Sequence, residues 1–182
     1  MNWITEIDVS ILLFIQENIR SEAFHGFWKL ITSLGDGGWF WIALSIALMI
    51  PRKTRTVGIA SLLSLALGAL ITNVTLKNLV ARIRPYDLMD TLVPLIAKPH
   101  DFSFPSGHTC ASFASALVFW RMLPKKYGVP AVILAALIGL SRMYVGVHYP
   151  TDVIGGFLAA LLASTIVYYG MKKWEAAASK KV

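Results

Sequence analysis

The sequence predicts an all-α integral membrane protein, a helical bundle with five or six transmembrane helices. Hydrophobic residues make up 56% of the 182 residues, and the mean hydropathy is +0.62, which is high for a soluble domain. The apolar residues are collected in stretches of about the length of a transmembrane helix, and the short segments between them are rich in Lys and Arg. At this length we expect one domain.

Five apolar stretches are the candidate spans. A helix rises about 1.5 Å per residue, so about 20 residues cross the roughly 30 Å of hydrocarbon in a bilayer. The first stretch is short by this measure, and its aromatic residues Trp39, Phe40 and Trp41 are expected at the membrane interface. The stretches cover residues 37–51, 57–80, 104–122, 128–147 and 151–171.

Residues 1–35 are predicted to form amphipathic interfacial helices, which lie on the membrane instead of crossing it. Ile4, Ile7 and Ile11 recur at helical spacing, and the acidic residues Glu6 and Asp8 are assigned to the opposite, polar face. A soluble N-terminal cap is the alternative interpretation of the same pattern.

The distribution of Lys and Arg predicts the orientation of the bundle. Segments 52–55, 121–126 and 172–181 contain ten of the 17 basic residues and one acidic residue, so they are expected on the cytoplasmic side. The loop from 81 to 103 and the turn near 146–150 then face the periplasm or the cell exterior. Because the positive charge is spread over short loops, the sequence indicates no patch for nucleic acid.

Three clusters on the predicted outward face carry the candidate chemistry. Charged groups at membrane depth are costly unless they face one another or a polar cavity, so in such a chain they indicate a functional site. The clusters are Lys77-x6-Arg84-Pro85, Pro105-Ser106-Gly107-His108 and Ser141-Arg142-x5-His148-x3-Asp152.

The first cluster places two cations near the end of the second span. Lys77 and Arg84 are seven residues apart, about two helical turns, so both are expected on one side of that helix, with Pro85 ending it. Basic residues at helix ends also serve as anchors at the interface. Arg82, which lies off the shared face, is assigned to such an anchor.

The second cluster places a histidine at the start of the third span. Ser106 is a natural N-cap, and Gly107 lets a ligand approach the backbone closely. The free N–H groups of a helix start bind anions, and His108 in the first turn can donate a proton to a leaving oxygen. A capped helix with a surface histidine is the alternative.

The third cluster pairs a histidine with a carboxylate. His148 and Asp152 are four residues apart and straddle the predicted start of the fifth span at Pro150. A carboxylate at this offset can fix the imidazole tautomer and leave the other nitrogen free to attack. Arg142 approaches the same face from the fourth span. The alternative is a His–Asp pair that only holds a helix start.

Together the clusters indicate phosphoryl transfer that needs no metal or other cofactor. Cations would stabilise the phosphate oxygens while one histidine attacks in line and the other protonates the leaving group. The sequence shows neither a cluster of acidic residues for Mg²⁺ nor a Gly-rich phosphate loop. His25 and His100, in the N-terminal helices and the long loop, are expected to be solvated.

At these residues the chain resembles the type 2 phosphatidic acid phosphatase superfamily of membrane lipid phosphatases, which is related to the vanadium haloperoxidases. The family signature Kx6RP, PSGH and SRx5Hx3D is present with matching internal spacing, within a resemblance that spans about residues 57–171. The resemblance implies that His148 is a nucleophile forming a phosphohistidine, that Asp152 orients it and that His108 is the general acid. The implied phosphate ligands are Lys77, Arg84, Ser106, Gly107 and Arg142.

The sequence therefore predicts a lipid phosphatase of the cell membrane whose site faces the periplasm or the exterior. The substrates that the resemblance implies are undecaprenyl diphosphate, phosphatidylglycerophosphate and phosphatidic acid. A vanadate-dependent peroxidase and a lipid transporter or scramblase are the alternatives, and the oligomeric state stays open. The predicted divisions are N-terminal interfacial helices (1–35), a transmembrane phosphatase domain (36–172) and a basic cytoplasmic tail (173–182).

Overall fold

The computed structural model describes the backbone of residues 3–179 and the side chains of residues 3–177, so residues 1–2 and 180–182 of the predicted end segments lie outside it. All regular structure in the described range is helical, which confirms the predicted all-α class. The helices are α1 (Trp3–Phe14), α2 (Glu22–Ser33), α3 (Trp39–Met49), α4 (Arg55–Ala69), α5 (Lys77–Val80), α6 (Pro85–Leu88), α7 (Gly107–Met122), α8 (Lys125–Tyr144) and α9 (Pro150–Ser179).

Helix α7 lies at the centre of the bundle and packs against α4, α8 and α9. Its buried positions are mostly small, and the side chains of Ala114, Ser115 and Ala116 have no exposed surface. Small side chains let helix backbones approach closely without a cavity. The indole Nε1 of Trp41 donates a 3.0 Å hydrogen bond to Ser112 Oγ, which fixes α3 against the same helix.

Three helical segments of the described residues are long and apolar enough to cross a membrane: Arg55–Leu88, Lys125–Tyr144 and Pro150–Ala177. A fourth span results if the bent pair Glu22–Ser33 and Asp36–Met49, with a 44° angle between its helices, crosses as one unit. The predicted third span corresponds to α7, which has only 16 residues. The number of five or six transmembrane helices therefore stays a prediction.

The basic segments gather at one end of the bundle. Pro51 and Thr54 line the same groove as Lys126, and the guanidinium of Arg121 lies 5.7 Å from the ring centre of Tyr168 in the second half of α9. The three sequence clusters lie at the other end, since Lys125 and Arg142 occupy opposite ends of the 20-residue helix α8. The charges that serve the candidate site are thus separated from those in the basic loops.

Helix α1 buries one of its two acidic residues. Ile4, Ile7 and Ile11 are exposed, whereas Asp8 is buried together with Leu12. Asp8 thus lies away from the exposed isoleucines, as the pattern predicts, but it faces the protein interior. The outward apolar stripe has the character of a lipid-facing surface, and on a membrane protein the charged side of a helix faces the protein interior.

The second predicted span, residues 57–80, ends at Val80, but the helix does not continue to Pro85 as the first cluster was expected to require. A π-helical segment, Leu70–Leu76, leads into the single turn of α5, and Ala81 follows in the left-handed conformation with φ of +47°. Arg84 is extended and precedes α6, in which Pro85 is the first residue. Pro85 thus begins a helix and does not end one, and the expected two-turn alignment of Lys77 with Arg84 does not exist.

Candidate active site

His148 and Asp152 meet at the start of α9. Nδ1 of His148 lies 3.4 Å from Asp152 Oδ2, and both side chains are almost completely buried. Burial lowers the pKa of His148 to about 3, and the hydrogen bond to Asp152 opposes this only in part. The imidazole is therefore neutral at physiological pH. With Nδ1 directed at the carboxylate, Nε2 is left to act as a nucleophile.

Both oxygens of the Asp152 carboxylate have further partners. Oδ2 accepts hydrogen bonds from the Ser103 hydroxyl and from the backbone N–H of Tyr149, the latter at 2.9 Å. Oδ1 accepts a 2.8 Å hydrogen bond from Nη1 of Arg82. A carboxylate held from three directions keeps one orientation, which fixes the imidazole that it contacts.

Lys77 and Arg84 converge on one carboxylate, that of Asp101 in the loop before α7. Nη2 of Arg84 lies 2.6 Å from Asp101 Oδ1, and Lys77 Nζ pairs with Oδ2. Burial alone would raise the pKa of Asp101, but the hydrogen bond and charge of Lys77 and the charge of Arg84 outweigh it and lower that pKa to about 2. Two cations around one ionised carboxylate form an anion site.

Arg84 also connects this anion site to the nucleophile. Its Nη1 donates a 2.7 Å hydrogen bond to the carbonyl oxygen of Val147 and lies 3.5 Å from Nε2 of His148. Its Nε donates to the carbonyl of Asp101 at 2.7 Å. The guanidinium is thus fixed by backbone oxygens next to the nitrogen that would attack.

Arg142, at the end of α8, is almost completely buried. Nη1 donates a 2.6 Å hydrogen bond to Thr32 Oγ1 in α2, and Nε has no hydrogen-bond partner among the described residues. An unpaired buried guanidinium N–H is costly. The positive charge of Arg142 acts on both His108 and His148. An anion bound between these residues would give the unpaired Nε–H of Arg142 a hydrogen-bond acceptor.

The start of α7 is built as the sequence predicts. Ser106 Oγ caps the helix by accepting from the Thr109 N–H at 3.4 Å, and the Ser106 N–H donates to the Asp152 carbonyl at 2.9 Å. A Cβ atom on Gly107 would come within 3.0 Å of Asn73 Oδ1, so glycine permits this close approach. The cluster that begins α7 is thereby joined to the start of α9.

His108 has a carboxylate partner of its own. Its Nε2 lies 2.8 Å from Oδ1 of Asp36, in the 3₁₀ turn Asp36–Gly38 between α2 and α3. A Cβ atom on Gly35 would lie only 2.7 Å from the His108 ring, so the connection between α2 and α3 can approach the imidazole only because residue 35 is glycine. The two histidines are therefore held by different parts of the chain.

A cavity of about 480 Å³ opens beside His108 and Lys77. Its far wall is apolar and includes Ile42, Leu62 and Leu65 from α3 and α4, whereas Asp101 lies at the polar end. A cavity with one charged end and a long apolar wall suits a molecule with an anionic head and a hydrocarbon tail.

The structure brings all eight predicted site residues to one end of the bundle, but the sequence missed several of their partners. Asp101, Asp36 and Asp8 were not assigned to the site, and the assignment of Arg82 to an interfacial anchor was wrong because its guanidinium pairs with Asp152. The sequence offered one signal for Asp101, because this carboxylate stands only four residues before Pro105, the first residue of the second cluster. His100 is exposed as predicted, whereas His25 is partly buried, with Nε2 inaccessible and lacking a described partner.

No group of three or more His, Cys, Asp or Glu residues within the described range is arranged to hold a metal ion. The positive charges near the histidines are those of Lys77, Arg84 and Arg142. These permanent cations can neutralise an anion directly.

Comparison with known proteins agrees with the motifs. The model of the PAP2 superfamily matches residues 58–176. An undecaprenyl-diphosphatase of Sulfolobus acidocaldarius is 36% identical over 118 residues, which are 65% of this chain and 57% of that protein. Phosphatidylglycerophosphatase B of Bacillus subtilis is 34% identical over 148 residues, 76% of this chain and 64% of that protein. The chain thus spans about three fifths of the length of these relatives.

The fold has a counterpart among solved structures. The crystal structure of a transmembrane PAP2-type phosphatidylglycerolphosphate phosphatase from Bacillus subtilis superposes with a TM-score of 0.77 and 31% identity, over 95% of this chain and 88% of that one. Because the superposition covers 95% of the chain, it extends beyond the segment matched by the family model, residues 58–176.

Proposed function

Because the chain belongs to the PAP2 superfamily, we propose that it is a membrane lipid phosphatase that removes a terminal phosphate from a lipid phosphate or diphosphate. The observation that carries this proposal is the convergence of Lys77, Arg84 and Arg142 on the two histidines. Of these residues, Lys77 and His108 line the polar end of the largely apolar cavity. The two relatives described above are named as phosphatases of a lipid diphosphate and of a lipid phosphate.

In the proposed reaction the phosphate enters between Lys77 and Arg84, where the Asp101 carboxylate lies in the free protein. The cations stabilise charge on the phosphoryl oxygens. Nε2 of His148 forms a bond to phosphorus as the bond to the lipid oxygen breaks, and His108 gives its proton to that oxygen. Water then attacks the phosphohistidine, losing a proton to His108, and phosphate and neutral His148 are released.

Asp152 supports the attack by accepting the hydrogen bond of His148 Nδ1, since a fixed tautomer exposes Nε2 and the buried carboxylate stabilises positive charge that develops on the ring. Ser106 and Gly107 begin the helix whose free N–H groups face the anion. No step in this scheme calls for a metal ion.

The substrate class follows from the cavity and from the relatives. Undecaprenyl diphosphate and phosphatidylglycerophosphate are the first candidates, and phosphatidic acid follows. The candidate site lies at the end of the bundle away from the basic loops, so it faces the periplasm or the cell exterior by the charge rule. Substrate would then enter from the outer leaflet.

The test is release of inorganic phosphate by the full-length protein purified in detergent, with these three lipids as substrates and EDTA present. We expect hydrolysis of at least one lipid, trapping of an alkali-stable, acid-labile phosphoenzyme, and inhibition by orthovanadate, which resembles the five-coordinate transition state. Loss of activity in EDTA that Mg²⁺ restores would contradict the mechanism. Halide oxidation with peroxide and vanadate, or lipid movement without phosphate release, would support the alternatives instead.

A further inference from the structure

We propose that Arg82 and Asp8 are positioning residues for the His148–Asp152 pair, and that through them helix α1 becomes part of the catalytic machinery. This inference deepens the proposed phosphatase function and rests on it for its kinetic consequences. Arg82 lies within the first cluster but is not one of its signature residues, and Asp8 precedes the segment that matches the family model, residues 58–176.

Arg82 reaches Asp152 directly. Its Nη1 donates hydrogen bonds to Asp152 Oδ1 at 2.8 Å and to Thr151 Oγ1 at 2.7 Å. The guanidinium carbon lies 3.9 Å from the centre of the Tyr149 ring, so the side chain is also held from one face. Arg82 thus contacts three of the four residues that follow His148, namely Tyr149, Thr151 and Asp152.

Asp8 completes the arrangement from the N-terminal helix. Its Oδ2 lies 2.7 Å from Arg82 Nη2 and accepts a hydrogen bond from the Thr151 hydroxyl, while Oδ1 accepts from the Thr151 N–H at 3.0 Å. The carboxylate is 1% exposed. A buried carboxylate that makes two hydrogen bonds to Thr151 and one to Arg82 fixes the position of the first turn of α9, which carries Asp152.

The packing of α1 adds a second connection to the same segment. Val9 and Leu12 are buried in a cluster that also contains Leu92 and Tyr149. Helix α1 is thus held to the segment after His148 by apolar packing as well as by the hydrogen bonds of Asp8.

The charges around His148 give the proposal a distinct electrostatic signature. Arg84 and Arg142 act on the imidazole as cations and Asp152 acts as an anion, with Arg82 and Asp8 behind it. Removing Arg82 leaves two carboxylates without their shared cation, so the imidazolium of His148 is stabilised. Removing the charge of Asp8 has the opposite sign.

The first arm of the test does not depend on hydrolysis. Protein labelled with ¹⁵N-histidine is studied in detergent micelles by NMR, and the four histidines are assigned by single His→Gln variants. We expect neutral, Nδ1-protonated His148 in the unmodified chain. In Arg82→Gln its pKa should rise by about one unit or more, in Asp8→Asn it should not rise, and Arg82→Lys should restore it.

Matched controls separate this effect from a general loss of stability. Glu6→Gln removes an exposed carboxylate from the same helix α1. Arg121→Gln removes a guanidinium that also bridges two elements, through Ser164 Oγ and Thr165 Oγ1, at the other end of the bundle. Both controls should leave the titration and tautomer of His148 unchanged.

The second arm is a double-mutant cycle on kcat for hydrolysis of dioctanoyl phosphatidic acid. Arg82→Gln should lower kcat about tenfold or more in the native background but by less than about threefold in Asp152→Asn, because its effect passes through Asp152. KM should change little, since the guanidinium of Arg82 bonds to Asp8, Thr151 and Asp152, which are not the anion-site residues Lys77, Arg84 and Asp101.

The two arms distinguish failure of the inference from failure of the proposed function. If the native chain hydrolyses no lipid phosphate, the function is wrong, and the NMR titration still decides the positioning role. An unchanged His148 titration in Arg82→Gln, or an equal loss of kcat in both backgrounds, would overturn the inference.

Discussion

Nε2 of His108 lies 2.8 Å from Oδ1 of Asp36, so each histidine of the candidate site has a carboxylate partner. The two pairs differ in their surroundings. Asp152 is fully buried next to His148, whereas the side chain of Asp36 is 65% exposed. A buried partner fixes the orientation of a nucleophile, while an exposed one lets a general acid exchange protons with water.

The Asp36 pair leads to a prediction about the protonation step. Asp36→Asn removes the charge that stabilises the His108 imidazolium, so kcat for a lipid phosphate should fall by about tenfold, within the range of general acid catalysis. Hydrolysis of p-nitrophenyl phosphate should fall less, because its leaving group needs little protonation. Steady-state kinetics with both substrates measure the difference.

Glu22→Gln, which removes an exposed carboxylate from the preceding helix α2, is the control and should behave as the native chain. An equal loss of rate with both substrates in Asp36→Asn would show that Asp36 does not act through the leaving group.

Contacts within one motif could be predicted from the sequence, because spacing alone determines them. The cap by Ser106 and the approach of Asp152 to His148 depend only on where a helix begins. The apolar stretches likewise predicted the all-helical class, since a continuous apolar stretch of about 20 residues is typical of a membrane-spanning helix.

Contacts between distant segments could not be predicted in this way. Asp36 meets His108 across 72 positions and Asp8 meets Arg82 across 74, and no local pattern encodes such pairs. The helix break at Ala81 was missed because alanine rarely adopts positive φ and gives no warning. This break turns Arg82 toward Asp152 instead of toward the membrane interface.

The position of Asp101 predicts that its carboxylate competes with substrate. Its pKa of about 2 keeps it ionised through the assay range, and it occupies Lys77 and Arg84 at once. Asp101→Asn should therefore lower the inhibition constant of orthovanadate about tenfold, and the gain should be constant above about pH 4. Inhibition measured across pH tests this.

Asp90→Asn, an exposed change in the same loop, should leave vanadate affinity unchanged. If Asp101→Asn weakens vanadate binding instead, Asp101 holds the two cations in place for the anion and does not compete with it.

The arrangement of the basic loops predicts the sidedness of the site. In a Cys110→Ala background, a cysteine at the exposed position of Asp90 should react with an impermeant maleimide in intact cells. A cysteine at the exposed position of Lys125, at the other end of the bundle, should react only after the cells are opened. The reverse pattern would move the substrate to the inner leaflet.

The two histidines are separated by their dependence on the leaving group. His148→Ala should form no phosphoenzyme and release no phosphate from any ester, since the atom that attacks phosphorus is gone. His108→Ala should lose about 10²–10⁴-fold with a lipid alkoxide leaving group and recover in part with p-nitrophenyl phosphate. Asp152→Asn should keep the fold and lose rate by a factor of up to about 10⁴, because the imidazole is no longer held in the attacking tautomer.

The decisive measurement in each histidine variant is the rate with p-nitrophenyl phosphate divided by the rate with the lipid phosphate. His100→Ala, which changes an exposed residue of the long loop, is the control. A rise of this ratio in His108→Ala alone supports the assigned roles, because only a missing proton donor is compensated by a better leaving group. Equal recovery of both variants would mean that neither role is assigned correctly. Greater recovery of His148→Ala would mean that His108 is the nucleophile, and the buried pair at the start of α9 would then hold the general acid.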